Sequence, residues 1–149
     1  DPEQLVVGGW SGGGFLTNWT ITHSNRFKAA VSGAGISNWV SFQGTADVRG
    51  VFDAYLGSVV DDVETHWRLS PIRLIRNATT PTLILYGGAD ARVPPTQGYE
   101  LYEGLKAVGV ETQLVTYPRE PHTIGERKHQ LDLLGRVVEW YDRHLGRGE

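Results

Sequence analysis

Apolar residues follow two patterns along this chain, short continuous runs and longer stretches with helical spacing. The short runs end at glycine or proline residues and predict strands at residues 5–7, 27–35, 83–86 and 112–118. Apolar positions three or four residues apart predict helices at residues 15–23, 96–108 and 129–145. A looser segment predicts short helices at residues 48–56 and 63–67. Helical segments therefore separate the consecutive strands.

This alternation determines the predicted fold class. A chain that passes through a helix between two strands makes a crossover connection, which leaves neighbouring strands parallel. The sequence therefore predicts an α/β fold with a mostly parallel sheet of about four strands, flanked by helices. The length of 149 residues predicts a single domain, residues 1–149.

Composition and charge exclude several classes of function. The net charge of −3 and the scattered basic residues give no support for a nucleic-acid partner or a membrane surface. The absence of cysteine excludes disulfides, thiolate metal sites and a cysteine nucleophile. Because no apolar run approaches a membrane span and no leader peptide is evident, we expect a soluble, cytoplasmic protein. The chain has no methionine and starts at Asp1, which suggests that an upstream part was removed or never included.

One serine lies between two groups of glycines, directly after the first predicted strand. Residues 9–13 read Gly-Trp-Ser-Gly-Gly and fit the G-x-S-x-G pattern of a strand-to-helix turn that exposes a nucleophilic serine. Such a turn is crowded, and glycines relieve the crowding around Ser11. The helix that follows directs free N–H groups at the site, which makes the N–H of Gly12 a candidate oxyanion donor. The same residues also fit a glycine-rich turn whose serine only caps the helix.

A carboxylate and an imidazole follow later strands in the order that a serine nucleophile requires. Asp90 comes after the strand at 83–86, and His122 comes after the strand at 112–118. The carboxyl ends of parallel strands meet at one edge of the sheet, where open α/β sheets bind ligands. We therefore expect His122 to take the proton of Ser11 while Asp90 fixes the imidazole tautomer. As an alternative, an aspartate after two glycines is typical of a turn.

The remaining candidate residues include one for the wall of the substrate pocket and none for a cofactor site. Trp10, next to the serine, is the aromatic residue that we expect to line the substrate pocket, and Arg92 is close enough in sequence to pair with Asp90. The other histidines, at positions 23, 66, 129 and 144, lack metal-site spacing, so we expect capping or solvated roles for them. We expect no metal and no other cofactor, because acyl transfer on a serine needs neither.

Three stretches of the chain together resemble a known enzyme family. They are GGWSGGGFLTNW, SPIRLIRNATTPTLILYGGADARVP and YPREPHTIGERKHQLDLLGRVVEWYDRHL. In this order they look like the C-terminal part of the catalytic domain of the prolyl oligopeptidase family, in particular its acylaminoacyl-peptidase branch. The resemblance runs nearly end to end and implies a truncated α/β-hydrolase fold. It also implies that Ser11 is the nucleophile, Asp90 the acid and His122 the general base.

The chain departs from the family pattern in two respects. The family usually has tyrosine after the nucleophile and glycine on both sides of the histidine, whereas Gly12, Pro121 and Thr123 occupy these positions here. The family's earlier strands, its second oxyanion donor and its propeller domain also have no counterpart in these residues. Because losing one such donor typically costs about a hundredfold or more, we expect small acyl esters to be hydrolysed in preference to peptides.

The first predicted strand also bears on assembly. Strand 5–7 has no predicted neighbour on one side, and an unpaired apolar edge favours pairing with another chain. We therefore expect a homo-oligomer in which protomers cover this edge and a neighbour supplies the missing donor.

The main hypothesis is a serine hydrolase that cleaves small acyl esters through an acyl-enzyme on Ser11. The alternatives are a non-catalytic remnant used for assembly or binding, and a fragment of a longer serine peptidase.

Overall fold

A four-stranded parallel sheet forms the centre of the computed structural model, which describes residues 1–48 and 50–146. Its strands are β1 (Val6–Trp10), β2 (Ala29–Gly33), β3 (Thr82–Gly87) and β4 (Thr112–Tyr117). They lie in the order β1-β2-β3-β4, and each strand pairs in parallel with the next. The predicted α/β fold with a parallel sheet flanked by helices is therefore confirmed.

Helices connect the strands and flank the sheet. The α-helices are α1 (Gly12–His23), α2 (Trp39–Thr45), α3 (Asp53–Leu56), α4 (Val63–Arg68), α5 (Thr96–Ala107) and α6 (Arg127–His144). A 3₁₀ segment, Pro71–Asn77, leads from α4 toward β3. None of the described helices has both the length and the apolar character needed to cross a membrane.

The core consists of two apolar layers on opposite faces of the sheet. On one face, Ile84 of β3 belongs to a cluster with Ile21 of α1 and Leu101 of α5. On the other face, Leu85 of β3 belongs to a cluster with Trp140 of α6. β3 is buried at every position, as its unbroken apolar run predicts.

The segment between β2 and β3 differs most from the sequence-based prediction. Of the helix predicted at 48–56, only Asp53–Leu56 is helical, and Arg49 lies outside the described residues. Gly50 and Gly57 both adopt a φ of +75°, which ends helical backbone on either side of this single turn. The prediction also missed α2, which begins after Asn38. The Asn38 side chain caps this helix by accepting hydrogen bonds from the backbone N–H groups of residues 40 and 41.

β1 forms one edge of the sheet and is only partly covered. It pairs with β2 alone among the described residues, so its other edge has no strand partner there. The nearby helix α6 exposes three large apolar side chains, Leu131, Leu134 and Val138, each by more than half. Leu134 and Gly8 line the same shallow groove between α6 and β1. The described part of the chain therefore presents an apolar surface beside an open strand edge.

Candidate active site

The nucleophile candidate Ser11 occupies the sharp turn between β1 and α1. Its backbone has φ +60° and ψ −117°, a left-handed conformation that non-glycine residues rarely adopt. Two backbone hydrogen bonds hold this conformation: the Ser11 N–H donates to the Gly33 carbonyl at 2.8 Å, and the Phe15 N–H donates to the Ser11 carbonyl at 2.9 Å. The turn is of the strained kind that presents a serine hydroxyl at the carboxyl edge of a sheet.

Crowding explains only some of the glycines around Ser11. A Cβ atom at Gly9 would lie 2.7 Å from the backbone of Gly13, and one at Gly14 would overlap the Gly33 carbonyl oxygen. These two glycines let α1 pack directly against β1 and β2. A Cβ atom at Gly12 or Gly13 would meet nothing within 4 Å, so crowding does not require glycine there.

The structure brings Ser11, His122 and Asp90 together in one chain of hydrogen bonds. The His122 Nε2 atom lies 2.8 Å from Ser11 Oγ, and His122 Nδ1 lies 2.8 Å from Asp90 Oδ2. The Asp90 side chain is fully buried, whereas about a quarter of the His122 side chain is exposed. Because a carboxylate can only accept, His122 Nδ1 carries the proton, and Nε2 is left to accept from the Ser11 hydroxyl. This arrangement can deprotonate the serine as it attacks a carbonyl carbon.

Asp90 makes contacts of both kinds that its sequence context indicates, within its own turn and to His122. While Oδ2 accepts from His122, Oδ1 accepts the backbone N–H groups of Arg92 and Val93, each at 2.9 Å. The carboxylate therefore builds its own turn and orients the imidazole at the same time. The Arg92 side chain does not pair with Asp90; its Nε donates to Asp47 at 2.6 Å.

Gly12, the predicted oxyanion donor, is the first residue of α1 and directly follows Ser11. The first intrahelical bond is made by Phe15, so the N–H groups of Gly12, Gly13 and Gly14 have no acceptor within the helix. The Ser11 N–H is already bonded to Gly33 and is not free. Since Gly12 follows the nucleophile directly, its N–H is the candidate donor to a carbonyl oxygen bound at Ser11.

An apolar cleft of about 360 Å³ opens beside Ser11 and His122. Aromatic side chains form much of its wall, and Trp39 makes edge-to-face contacts with Phe15 and Phe52, with ring centroids 5.2 and 5.1 Å apart. The remaining lining residues are Gly12, Ile36, Phe42, Val48, Val51, Arg92 and Val93. This wall was not predicted because its members come from α1, α2 and loops distant in sequence. The Asn38 cap followed by Trp39 and Phe42 was the available signal.

Trp10 does not line this cleft, which corrects the predicted pocket wall. Its indole N–H donates to the backbone carbonyl of His122 at 2.8 Å, and its ring packs over Gly33. The indole instead lines a separate apolar groove with Thr123 and Ile124. Trp10 therefore contacts the loop that carries His122 and is absent from the lining of the cleft, although it directly precedes Ser11 in the sequence.

Among the described residues, one group of three potential metal ligands occurs, formed by Glu120, Glu126 and His129. Its members are already paired. His129 Nδ1 lies 2.7 Å from Glu120 Oε1, and the Arg119 guanidinium forms a two-pronged contact with Glu126. These contacts are those of a local ion-pair cluster, and they correct the solvated role predicted for His129.

Comparison with known proteins assigns the family. Residues 1–148 match the model described as prolyl oligopeptidase family. The chain belongs to the prolyl oligopeptidase family. The acylaminoacyl-peptidase branch of this family is represented among its relatives, and the fold is that of its α/β-hydrolase peptidases. The residues therefore correspond to part of the proteins of a serine peptidase family.

Relatives within the prolyl oligopeptidase family cover nearly all of this chain. An uncharacterized peptidase of Bacillus subtilis, YuxL, is 40% identical over 150 residues, which are 97% of this chain and 23% of that protein. The human acylamino-acid-releasing enzyme is 30% identical, over 98% of this chain and 21% of its own length. The structure of the Pyrococcus horikoshii acylaminoacyl peptidase superposes with a TM-score of 0.91 at 29% identity, over all of this chain and 25% of that one. The chain thus spans about a quarter or less of the length of these relatives.

Proposed function

We propose that this chain hydrolyses small acyl esters through an acyl-enzyme formed on Ser11. The observation that carries the proposal is the unbroken hydrogen-bonded series from Ser11 Oγ through His122 to the buried Asp90, at the mouth of an apolar cleft. A serine that only capped α1 would accept a backbone N–H of the first turn, but the Ser11 side chain makes no such bond. Its hydroxyl is bonded to the imidazole instead.

The geometry suits a two-step acyl transfer. In the first step Ser11 Oγ attacks the carbonyl carbon while its proton moves to His122 Nε2, and the carbonyl oxygen, now negative, faces the N–H of Gly12. His122 then gives the proton to the departing alkoxide, which leaves as an alcohol. In the second step water loses its proton to His122, attacks the acyl-enzyme and releases the acid, restoring Ser11. Asp90 stays ionised and stabilises the imidazolium formed in each step.

The cleft favours an apolar group on the substrate. Its wall is built from Phe15, Trp39, Phe42 and Phe52, with the charged Arg92 among the lining residues. Burying an aromatic or branched aliphatic group against these rings is favourable by about 25 cal/mol for each Å² removed from water. We therefore expect KM to fall as the acyl group grows from acetyl toward a group that fills the cleft.

Esters are the preferred bond class because they demand less of the oxyanion site. An alkoxide or phenolate departs more readily than an amine, so its acyl transfer needs less stabilisation of the tetrahedral intermediate. Among the described residues, the candidate donors to the oxyanion are the backbone N–H groups at the N-terminus of α1. A second candidate function, hydrolysis of acylated amino-acid amides, is favoured by relatives named acylamino-acid-releasing enzyme and peptidase.

Covalent labelling tests the nucleophile. Wild-type protein and Ser11→Ala are each treated with a fluorophosphonate and analysed by intact mass. We expect one adduct on the wild type, mapped to Ser11, and none on the variant. A well-folded wild type that takes up no adduct would contradict the proposal and favour a non-catalytic binding role.

A matched substrate pair tests the bond class. The p-nitrophenyl ester and the p-nitroanilide of one N-acetylated aromatic amino acid present the same acyl group with different leaving atoms. We expect kcat/KM to be higher for the ester. An anilide that is hydrolysed as efficiently as the ester would overturn the ester preference and establish peptidase-type activity.

A further inference from the structure

The loop that carries His122 must be held by contacts outside regular structure. Residues 118–126 connect β4 to α6 without helical or strand hydrogen bonding of their own. Arg119 adopts a φ of +67°, a left-handed conformation that is unfavourable for a residue with a side chain. Yet this loop places His122 Nε2 within 2.8 Å of Ser11 Oγ. Groups elsewhere in the loop must therefore fix its path.

Glu120 makes three of these contacts with its side chain and a fourth with its backbone carbonyl. Its side chain is 3% exposed, and its carboxylate accepts the backbone N–H of Gly125 at 2.7 Å and of Glu126 at 2.8 Å. His129 Nδ1, in the first turn of α6, lies 2.7 Å from the same carboxylate. The Glu120 backbone carbonyl accepts the N–H of Ala89 at 2.9 Å, which joins this loop to the one that carries Asp90.

We propose that Glu120 is a positioning residue, whose carboxylate closes the loop into a ring and so fixes the His122 imidazole opposite Ser11. The proposal rests on the proposed function of Ser11 and deepens it. Glu120 touches neither the serine nor the cleft and acts only through His122. Its ring spans residues 120 to 126 and encloses His122, so a change in the ring moves the imidazole directly.

The chemistry of the contacts requires an ionised carboxylate at position 120. Three donors, the N–H groups of Gly125 and Glu126 and the ring of His129, point at its two oxygen atoms. The Gly125 N–H contributes most to holding the pKa of Glu120 below its usual value, with smaller contributions from His129 and the Glu126 N–H, against an opposing effect of burial. An amide in place of the carboxylate would offer one oxygen and turn an NH₂ group toward a donor.

Glu120→Gln tests the proposal, because it preserves shape and removes one acceptor. Glu111→Gln is the control, since it makes the same chemical change at an exposed glutamate that pairs with Arg143 and His144, outside the loop. We expect Glu120→Gln to lower kcat for a p-nitrophenyl ester about 10- to 100-fold with KM within about twofold, because small misplacements of a reacting group have effects of this size. We expect the control to stay within about twofold of wild type in both constants.

A spectroscopic readout separates this proposal from the proposed function. The Nδ1 proton of His122, bonded to Asp90, is followed by low-field proton NMR and assigned by its loss in His122→Ala. We expect the resonance to shift or broaden in Glu120→Gln and to stay unchanged in Glu111→Gln. This readout does not need activity, so it tests the positioning role even where wild-type Ser11 takes up no fluorophosphonate and the proposed function fails.

The outcomes are distinct. A folded Glu120→Gln variant with wild-type kcat and an unchanged His122 resonance would overturn the positioning role. Where this variant does not fold, His129→Leu replaces it, because that change removes one donor to Glu120 and leaves both backbone donors. We expect a several-fold loss of kcat and a shifted resonance in His129→Leu, and wild-type values for both would likewise overturn the proposal.

Discussion

Asp90 shows how one side chain can serve both a turn and a hydrogen bond to a distant imidazole. One of its oxygen atoms accepts two backbone N–H groups of its own loop, and the other accepts from His122. Because the two oxygens have separate partners, a substitution can change one function and preserve the other. An asparagine at this position retains an oxygen for the turn but presents an amide to the imidazole.

For Asp90→Asn we therefore expect a folded protein with a large loss of activity. The amide donates to His122 Nδ1 and selects the tautomer in which Nε2 carries the proton and cannot accept from Ser11. The same substitution in a Ser-His-Asp triad lowers kcat by roughly 10⁴-fold, and we expect a loss of that order. Steady-state hydrolysis of a p-nitrophenyl ester measures it, with circular dichroism as the check on folding. Asp47→Asn, which affects only the exposed pair with Arg92, is the control and should change kcat little.

Glu120 gives the molecule a pH-dependent component of stability. Its pKa is lowered from the ordinary value of 4.5, chiefly by the Gly125 N–H, with His129 and Glu126 as its charged neighbours. A carboxyl group with a depressed pKa in the folded state stabilises the protein above its unfolded-state pKa, and this contribution is lost as the pH falls through the folded-state pKa.

We accordingly expect wild type to be more stable than Glu120→Gln at pH 6, and the difference to shrink on acidification below about pH 4.5. Urea unfolding of both proteins at a series of pH values between 6 and 3 measures this difference. Comparing the two proteins cancels the titration of the other carboxylates. A difference in the free energy of unfolding that stays constant across the series would contradict the expected role of the charge.

Some features of individual residues could be predicted from the sequence, and others could not. The order Ser11, Asp90, His122 is predictable because each residue follows an apolar run, and strand ends converge at one edge of a parallel sheet. The prediction that Trp10 lines the substrate pocket was wrong, because a residue next to Ser11 in sequence need not have its side chain in the same cleft. The Glu120 ring left no sequence signal, since its carboxylate pairs with backbone groups.

At the scale of elements, close packing of α1 on the sheet distinguishes two neighbouring glycines. Gly13 faces open space, while a Cβ atom at Gly14 would overlap the Gly33 carbonyl oxygen. Gly13→Ala should stabilise the protein by about 0.5 kcal/mol, because alanine restricts the unfolded chain and favours helix. Gly14→Ala should destabilise it by roughly 1–3 kcal/mol, because backbone atoms must move. Urea midpoints of the two variants test the contrast, and equal midpoints would contradict it.

The elements themselves were predictable to different degrees. The strands and the long helices follow from periodicity, and only their ends moved by a few residues. The segment that holds α2 was missed because tertiary contacts fix it. Gln97, fully buried on α5, accepts the N–H groups of Ser37 and Asn38 and donates to Ser41 Oγ. A bond between residues about 60 positions apart has no local pattern that could indicate it.

At the scale of the whole molecule, the open edge of β1 is the feature that bears on assembly. Apolar side chains of α6 are exposed beside it, and exposed apolar surface next to an unpaired strand favours association. We propose that copies of this chain associate through β1 and α6, as the homo-oligomer expected from the sequence.

Sedimentation equilibrium tests this association with a pair of matched variants. Leu134 on α6 and Leu16 on α1 are exposed by 59% and 60%, but only Leu134 lines the groove beside β1. We expect wild type to sediment as an oligomer, Leu134→Lys to shift toward monomer, and Leu16→Lys to behave as wild type. A wild type that sediments as a single monomeric species would contradict the proposal.

The hydrogen bond between Ser11 and His122 joins residues 111 positions apart. This separation determines when the pair can form during folding. Contacts between residues so far apart form late, because the intervening chain must first be ordered. Every crossover from β1 to β4 lies between Ser11 and His122. During synthesis or refolding, Ser11 therefore lacks its imidazole partner until β4 and the loop after it are in place.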